Sequence, residues 1–113
     1  MQLIDRSQAE HYVWGNICDG WHFLKRDDIS IISERVPSGA SEVRHIHESA
    51  RQFFYILSGQ ATIEANGEHV KLTEGQGLEI SPGTPHQFKN ESTQDVHFLV
   101  ISHPSTKGDR INL

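Results

Sequence analysis

The sequence has one cysteine, Cys18, and no long hydrophobic run. A single cysteine cannot form an intrachain disulfide, so the fold has to be stable without one, as is usual for proteins of the cytoplasm. The first twenty residues carry charged residues among the apolar ones and lack the apolar centre of a secretory signal. No apolar run approaches the length that spans a bilayer. We therefore expect a cytoplasmic protein that does not enter a membrane.

Basic residues are in the minority, which bears on the kind of partner that the protein can have. Ten lysines and arginines stand against fifteen aspartates and glutamates, and the net charge is −5 with neutral histidine. The basic residues are scattered along the chain, whereas nucleic-acid binding needs them concentrated in one stripe or patch. We therefore expect no nucleic-acid partner. The 113 residues suffice for one modest hydrophobic core, and we expect a single domain over residues 1–113.

No stretch shows a sustained apolar period of 3.6 residues with helix caps. Short β-prone runs separated by turn signals instead predict an all-β domain, with strands at Trp21–Lys25, Ile29–Val36, Ser41–His47, Gln52–Leu57, Ala61–Ala65, His69–Leu72, Leu78–Ser81, His86–Asn90 and Val96–Ser102. Asn66-Gly67 predicts a two-residue type I′ hairpin, and Pro82-Gly83 fits a type II turn. Such strands are typical of a sandwich or a closed barrel, and the pattern does not choose between them.

Two histidines separated by one residue lie on one of these strands. His45 and His47 project from the same face, because side chains alternate along a strand, and together they can chelate a metal. With eight histidines in the chain, such a pair also arises by chance as two surface residues. Gln52 starts the next strand after a short connection, and His86 starts another strand after the Pro82-Gly83 turn. These positions favour one divalent metal ion held by His45, His47, Gln52 and His86.

The strands that carry these ligands also carry apolar residues. Phe54, Ile56 and Phe88 share the strand parity of the predicted ligands, so we expect them to form a dry pocket wall. His97 lies on the last predicted strand, whose orientation no ligand defines, and it is a candidate catalytic acid or base.

Two further groups are interpreted less specifically. The glycine-rich stretch between Trp14 and Trp21 is either a loop over a pocket mouth or the site of ordinary packing by two aromatic rings. Four histidines have no ligand-like neighbours and are expected on the surface: His11, His22, His69 and His103.

The spacing of the predicted ligands resembles the two motifs of the cupin family. The first motif, over residues 39–59, is Gly39-ASEVR-His45-Ile46-His47-ESAR-Gln52-FFYILS-Gly59. The second, over residues 75–90, is Gly75-QGLEI-Ser81-Pro82-Gly83-TP-His86-QFK-Asn90. The resemblance implies a double-stranded β-helix, the jelly-roll barrel of the cupins, with a metal ion inside one end. Outside residues 39–90 the resemblance rests on β character alone.

Two positions depart from the family's pattern. Ser81 stands where cupins usually have proline, but Pro82 and Gly83 can still make the turn. Gln52 stands where the resemblance implies a glutamate ligand; its amide oxygen can coordinate a metal but carries no charge and cannot act as a general base. The alternative is a site of three histidines to which Gln52 does not contribute. Either donor set suits iron, manganese, nickel or zinc.

Cupins include dioxygenases, isomerases, decarboxylases, lyases and sensor domains, so the fold leaves the function open. We expect a metal-dependent enzyme, dioxygenase-like or isomerase-like, that acts on a small organic molecule. One alternative is a non-catalytic barrel that binds or senses a small molecule around a structural metal, and another is a pocket without metal. Phe53, Tyr55 and Leu57 face the side opposite to Gln52 and form an apolar strip in need of cover, which predicts a homodimer.

Overall fold

Two antiparallel β-sheets make up the protein in the computed structural model, which describes residues 1–113. The strands are β1 Glu10–Trp14, β2 Cys18–Lys25, β3 Ser30–Val36, β4 His45–Ile46, β5 Arg51–Ser58, β6 Gln60–Ala65, β7 Glu68–Thr73, β8 Gly77–Ile80, β9 His86–Lys89, β10 Val96–His103 and β11 Ile111–Asn112. One sheet has the order β1-β2-β3-β10-β5-β8 and the other β11-β4-β9-β6-β7. The predicted all-β class is confirmed. The structure contains no helix that is long and apolar enough to cross a membrane.

Side chains alternate along the central strands of the six-stranded sheet. On β5, Gln52, Phe54 and Ile56 are buried, while the residues between them are exposed. Strand β10 lies between β3 and β5 and buries Phe98 and Val100 in the same way. Large aromatic and branched side chains fill a pleated surface well, so each sheet turns one apolar face toward the other. The core therefore lies between the two sheets.

Three phenylalanines occupy the centre of this core. The ring centroids of Phe88 and Phe98 are 4.1 Å apart, and those of Phe54 and Phe88 are 5.9 Å apart. Phe88 belongs to the five-stranded sheet, whereas Phe54 and Phe98 belong to the six-stranded one. The stack therefore joins the two sheets, and aromatic pairs of this kind add to the stabilisation from buried area alone.

Both predicted turns are present. Asn66 and Gly67 connect β6 to β7 with φ values of 52° and 85°, and two positive φ angles in succession are what a type I′ hairpin requires. At the Pro82-Gly83 turn, Gly83 has a φ of 78°, and the amide of Thr84 donates a hydrogen bond of 3.3 Å to the carbonyl of Ser81. The predictions of these two turns from local sequence are therefore confirmed.

The predicted strands differ from the structure mainly around the first histidine motif and near the ends of the chain. Only His45–Ile46 of the predicted strand Ser41–His47 forms a ladder, with an isolated bridge between Ser41 and Lys89. Strands β1 and β11 were not predicted. Strand β1 is an edge strand that pairs only with β2, and β11 is two residues long and pairs only with β4. Most of β1 is exposed and β11 has only two residues, so neither shows the sustained apolar alternation on which the prediction relied.

Candidate metal centre

The structure brings His45, His47 and His86 together inside the barrel. His45 and His86 are direct partners in the pairing of β4 with β9, and His47 follows two residues after His45. The three residues are 2%, 5% and 1% exposed, respectively. One ring nitrogen from each imidazole lies within 4.8 Å of the others, which is a spacing that one metal ion can bridge. Two strands and a loop therefore supply three convergent nitrogen donors.

Hydrogen bonds determine which nitrogen of each imidazole is available. Each Nδ1 is bonded to a main-chain carbonyl: His45 to Val43 at 2.7 Å, His86 to Thr84 at 2.8 Å, and His47 to Asp109. A carbonyl oxygen only accepts, so every Nδ1 carries the hydrogen and every Nε2 keeps its lone pair. Burial lowers the pKa of all three imidazoles, that of His45 to about 4, so the neutral form prevails at neutral pH. This is the form that binds metals.

Asp109 attaches the C-terminal segment to the site. Its carboxylate accepts hydrogen bonds from the amides of Glu48, Ser49 and Ala50 at 2.8, 3.1 and 2.9 Å. Its main-chain carbonyl accepts the Nδ1 hydrogen of His47. The orientation of one imidazole therefore depends on a residue near the end of the chain, in the way that outer partners orient metal-ligating histidines.

Gln52 directs its amide oxygen at the histidines. Its Nε2 donates a hydrogen bond of 3.1 Å to Ser102 Oγ, and its Oε1 lies 3.2 Å from His86 Nε2. Gln52 Oε1 and His86 Nε2 are both acceptors, because the hydrogen of the His86 imidazole is on Nδ1. Two lone pairs that face each other in a buried site are stabilised by a cation between them. Three imidazole nitrogens and one amide oxygen therefore form a donor set that fits a divalent metal ion.

A cavity of about 150 Å³ lies beside these donors and is lined by His45, His47 and Gln52. Phe54 and Phe88 form part of its wall. Ile56 does not line the cavity, although we expected it in the wall; it is fully buried farther along β5, in the hydrophobic core. A cavity of this size holds about one six-membered ring, so only a small molecule, or one end of a larger one, can enter.

Two partly buried carboxyl groups, which the sequence reasoning missed, also line the cavity. Glu42 Oε1 accepts a hydrogen bond of 2.9 Å from the amide of Phe88, and burial raises the pKa of Glu42 to about 7. Burial, with a smaller contribution from the charge of Glu42, raises the pKa of Glu34 to about 8. The sequence did contain an indication for Glu34: it alternates with Ile32 and Val36 along a predicted strand, so all three side chains are expected on one face. A carboxyl that is protonated near neutral pH can donate a proton.

The free energy of unfolding of the metal-free protein is expected to depend on Glu34. Its pKa is raised from 4.5 to about 8 in the folded state, so its stabilising contribution is complete below about pH 4.5 and is lost as the pH rises through about 8. The free energy of unfolding of wild type, relative to that of Glu34→Gln, should fall by on the order of 2 kcal/mol over this pH range. The contributions of the histidines are common to both proteins and cancel in this comparison. Urea denaturation at a series of pH values measures the difference, with Glu79→Gln on the surface as the control. A difference that is flat with pH would contradict the assignment.

His97 is not brought to this site. Strand β10 turns Phe98 and Val100 toward the cavity, so His97 lies on the opposite face of the sheet. There its Nδ1 lies 3.1 Å from Nη2 of Arg6, which donates to it. His97 was a candidate acid or base whose orientation the sequence left open, and the alternation of side chains along β10 places it outside the cavity.

The region from Trp14 to His22 also differs from expectation. Gly15 and Asn16, with φ values of 57° and 73°, form the turn of the β1–β2 hairpin and not a loop over the mouth. Trp14 lines the cavity, whereas Trp21 lies 4.1 Å beneath the guanidinium of Arg6. His22, which we expected on the surface, is partly buried, and its Nδ1 is buried without a hydrogen-bond partner.

Comparison with known proteins adds a family-level result. A family model described as "Cupin domain" matches residues 32–102, which is more than half of the chain. The chain is 30% identical to the oxalate-binding protein of Thermotoga maritima over 67 residues, which are 59% of this chain and 55% of that protein. It is 33% identical to the quercetin 2,3-dioxygenase of Bacillus subtilis over 72 residues, which are 62% of this chain and 21% of that protein. The chain thus spans less than two thirds of either relative.

A solved structure shares the fold. The crystal structure of a predicted oxalate decarboxylase from Thermotoga maritima superposes with a TM-score of 0.83 and covers 92% of this chain and 100% of its own. Its sequence identity with this chain is 21%, so the likeness concerns the fold alone. The two sheets described above are accordingly those of a double-stranded β-helix, as the motif spacing implied.

Proposed function

The chain belongs to the cupin family, and on this premise we propose that it is a metal-dependent enzyme acting on a small organic molecule. The observation that carries the proposal is the convergence of three imidazole nitrogens and Gln52 Oε1 next to a cavity that His45, His47 and Gln52 line. In this proposal His45, His47, His86 and Gln52 hold one divalent ion, which is iron, manganese, nickel or zinc. When bound, the ion supplies Lewis acidity and open positions for a substrate oxygen or dioxygen.

The residues around the cavity support chemistry on a small substrate. Phe54 and Phe88 exclude water from one side of the cavity, which strengthens polar interactions within it. Glu34 and Glu42 hold protons that a carbonyl substrate undergoing isomerisation or elimination has to exchange. Gln52 cannot take that role, because an amide does not accept a proton at neutral pH. The carboxyls favour an isomerase-like or lyase-like reaction, whereas the similarity to a relative named as a dioxygenase favours dioxygenase-like chemistry.

The alternative is a barrel that binds a small molecule without converting it. The similarity to a relative named as an oxalate-binding protein favours this alternative. It requires the same donors and the same small cavity, because a chelating ligand can occupy the open positions of a metal that performs no reaction. The two proposals therefore differ in turnover and agree on metal content.

Metal analysis and a turnover screen separate these possibilities. Protein purified without added ions is expected to contain one equivalent of a divalent metal, and a protein without metal would contradict both proposals. Oxygen uptake is then measured on a panel of diketones, catechols and thiols, and proton exchange into the diketones is followed by NMR. Turnover that disappears in His47→Ala supports the enzyme. Absence of turnover together with ligand-dependent shifts in melting temperature supports the binding barrel.

Substitutions of Gln52 test whether its amide oxygen is a ligand. In Gln52→Leu the metal loses one donor, and we expect the dissociation constant for zinc to rise by on the order of tenfold, about 1.4 kcal/mol. In Gln52→Glu a negative charge is added to a neutral donor set, so the dissociation constant should fall by a similar factor. Competition with a chromogenic chelator measures both constants. Equal affinities in wild type and Gln52→Leu would favour the site of three histidines.

We also propose that the protein is a cytoplasmic homodimer. Phe53, Tyr55 and Leu57 are 40%, 37% and 41% exposed on the outer face of β5, so together they form an apolar strip that a second copy would cover. Cys18 is a free, fully buried thiol, in keeping with a reducing compartment. Sedimentation equilibrium tests the association, and a monomer at high protein concentration would contradict it.

A further inference from the structure

A second, larger cavity adjoins the metal cavity and is called the outer cleft below. Its volume is about 530 Å³, and it is formed by residues of β2, β3, the connection between them and the segment after β10. Ile32 and Thr106 line both the outer cleft and the metal cavity, so the two spaces are neighbours that share part of one wall. A molecule too long for the metal cavity, which holds about one ring, would extend into the outer cleft.

The outer cleft is positively charged, although the protein as a whole has a net charge of −5. Lys25, Arg26 and Lys107 line it, and the only acid there is Asp27. Lys25 is already paired with Glu10, at 3.2 Å from both carboxylate oxygens. Arg26 and Lys107 take part in no ion pair. A cleft of one sign on a protein of the other raises the local concentration of oppositely charged ligands.

The remaining lining of the outer cleft is also polar. Ile32 is its single hydrophobic residue, and the other eight lining residues carry polar or charged groups. His22 also lines the cleft. Guanidinium, ammonium and imidazole groups together are suited to an oxyanion.

We propose that the outer cleft binds the anionic group, a carboxylate or a phosphate, of the small molecule whose other end enters the metal cavity. The second half of this statement rests on the proposed function, whereas anion binding in the cleft does not need the metal. Arg26 and Lys107 hold the anionic group, and the molecule runs past Ile32 and Thr106, which line both spaces. The substrate class is accordingly a short molecule with a metal-chelating head and an acidic tail.

Anion binding is tested first on the metal-free protein with inorganic phosphate and acetate as probes, followed by amide chemical shifts at low ionic strength. Wild type is expected to show saturable shifts at residues 25–27 and 105–107. The double variant Arg26→Gln/Lys107→Gln should raise the apparent dissociation constant by at least about fivefold, since two charged donors are lost. The control Lys71→Gln/Lys89→Gln removes the same charge from the other sheet and should change the apparent dissociation constant by less than about twofold. Equal constants in all three proteins would overturn the proposal.

A second experiment tests whether one ligand reaches both sites. Acetohydroxamate, a metal-chelating head alone, is compared on zinc-loaded protein with hydroxamates that carry a carboxylate or a phosphonate on spacers of increasing length. The best tailed compound is expected to bind at least about tenfold more tightly than acetohydroxamate, and the double variant Arg26→Gln/Lys107→Gln should lose this gain while acetohydroxamate binding is unchanged.

The outcomes of the second experiment separate the two proposals. If acetohydroxamate does not bind the zinc-loaded protein, the proposed function fails, and the phosphate titration still decides whether the cleft binds anions. If acetohydroxamate binds and no tail improves its affinity, the inference about the ligand fails while the metal site stands. The better tail, carboxylate or phosphonate, identifies the chemistry of the natural anion.

Discussion

Replacement of His45 by alanine is expected to weaken zinc binding by on the order of a thousandfold, about 4 kcal/mol. The imidazole of His45 is close to both of the others, with ring centroids 4.7 Å from His47 and 4.4 Å from His86. Its removal leaves only two imidazole donors, those of His47 and His86, and an ion held by two nitrogens in place of three is bound less tightly. Competition with a chelator of known affinity measures the change.

The control for this experiment is His69→Ala. His69 is exposed on β7 and is not part of the histidine cluster, so its removal should leave the zinc affinity unchanged. Circular dichroism and urea denaturation of the metal-free proteins establish that both variants are folded. Zinc affinity in His45→Ala equal to that of wild type would remove the metal centre proposed here. A loss of affinity in His69→Ala as large as that in His45→Ala would point to binding elsewhere on the protein.

Truncation of Phe88 to alanine should lower the free energy of unfolding by about 3–5 kcal/mol. Phe88 is 1% exposed and stacks on Phe98 and Phe54, so the deletion leaves a cavity between the two sheets. Its main-chain amide still donates to Glu42, which confines the change to packing. The expected loss is a large part of the 5–15 kcal/mol by which domains are usually stable. Urea denaturation with a fixed metal content measures it.

A phenylalanine on the outer face of the sheet serves as a control, because its replacement by alanine removes the same atoms without opening a cavity in the core. Phe53 on the outer face of β5 is 40% exposed, so Phe53→Ala should cost well under half as much as Phe88→Ala. Phe88→Leu should cost less than Phe88→Ala, because part of the volume is kept. If Phe53→Ala and Phe88→Ala destabilise the protein equally, the stack of three phenylalanines does not join the sheets in the way described here.

The pair His45 and His47 was predictable because its determinants are local in the chain, whereas the inclusion of His86 rested on the spacing of the two motifs. Alternation along a strand puts His45 and His47 on one side, and the same rule puts Gln52, Phe54 and Ile56 on one face of β5. Alternation does not tell how far along the barrel an inward side chain lies, and Ile56 lies in the hydrophobic core beyond the cavity. For His97, alternation left open which face of β10 points inward, because β10 carries no predicted ligand.

The rest of the site depends on residues that are distant in sequence. Glu34 reaches the cavity because β3 lies beside β10, and the sequence does not state this pairing. Asp109 orients His47 across 62 positions of the chain, and the segment that carries it has no apolar period. Such contacts arise from the closure of two sheets, which a local pattern does not specify.

The amino-acid sequence by itself determined the all-β class, the two tight turns and the common face of His45 and His47, because turn chemistry and strand alternation act between near neighbours. The tertiary structure alone decided that Gln52 aims its oxygen at His86, that Glu34 and Glu42 line the same cavity, and that a basic cleft adjoins it. Each of these depends on which strands lie side by side and how deep a side chain is buried. Burial then alters proton affinity and hydrogen bonding, and through them the chemistry that the site can perform.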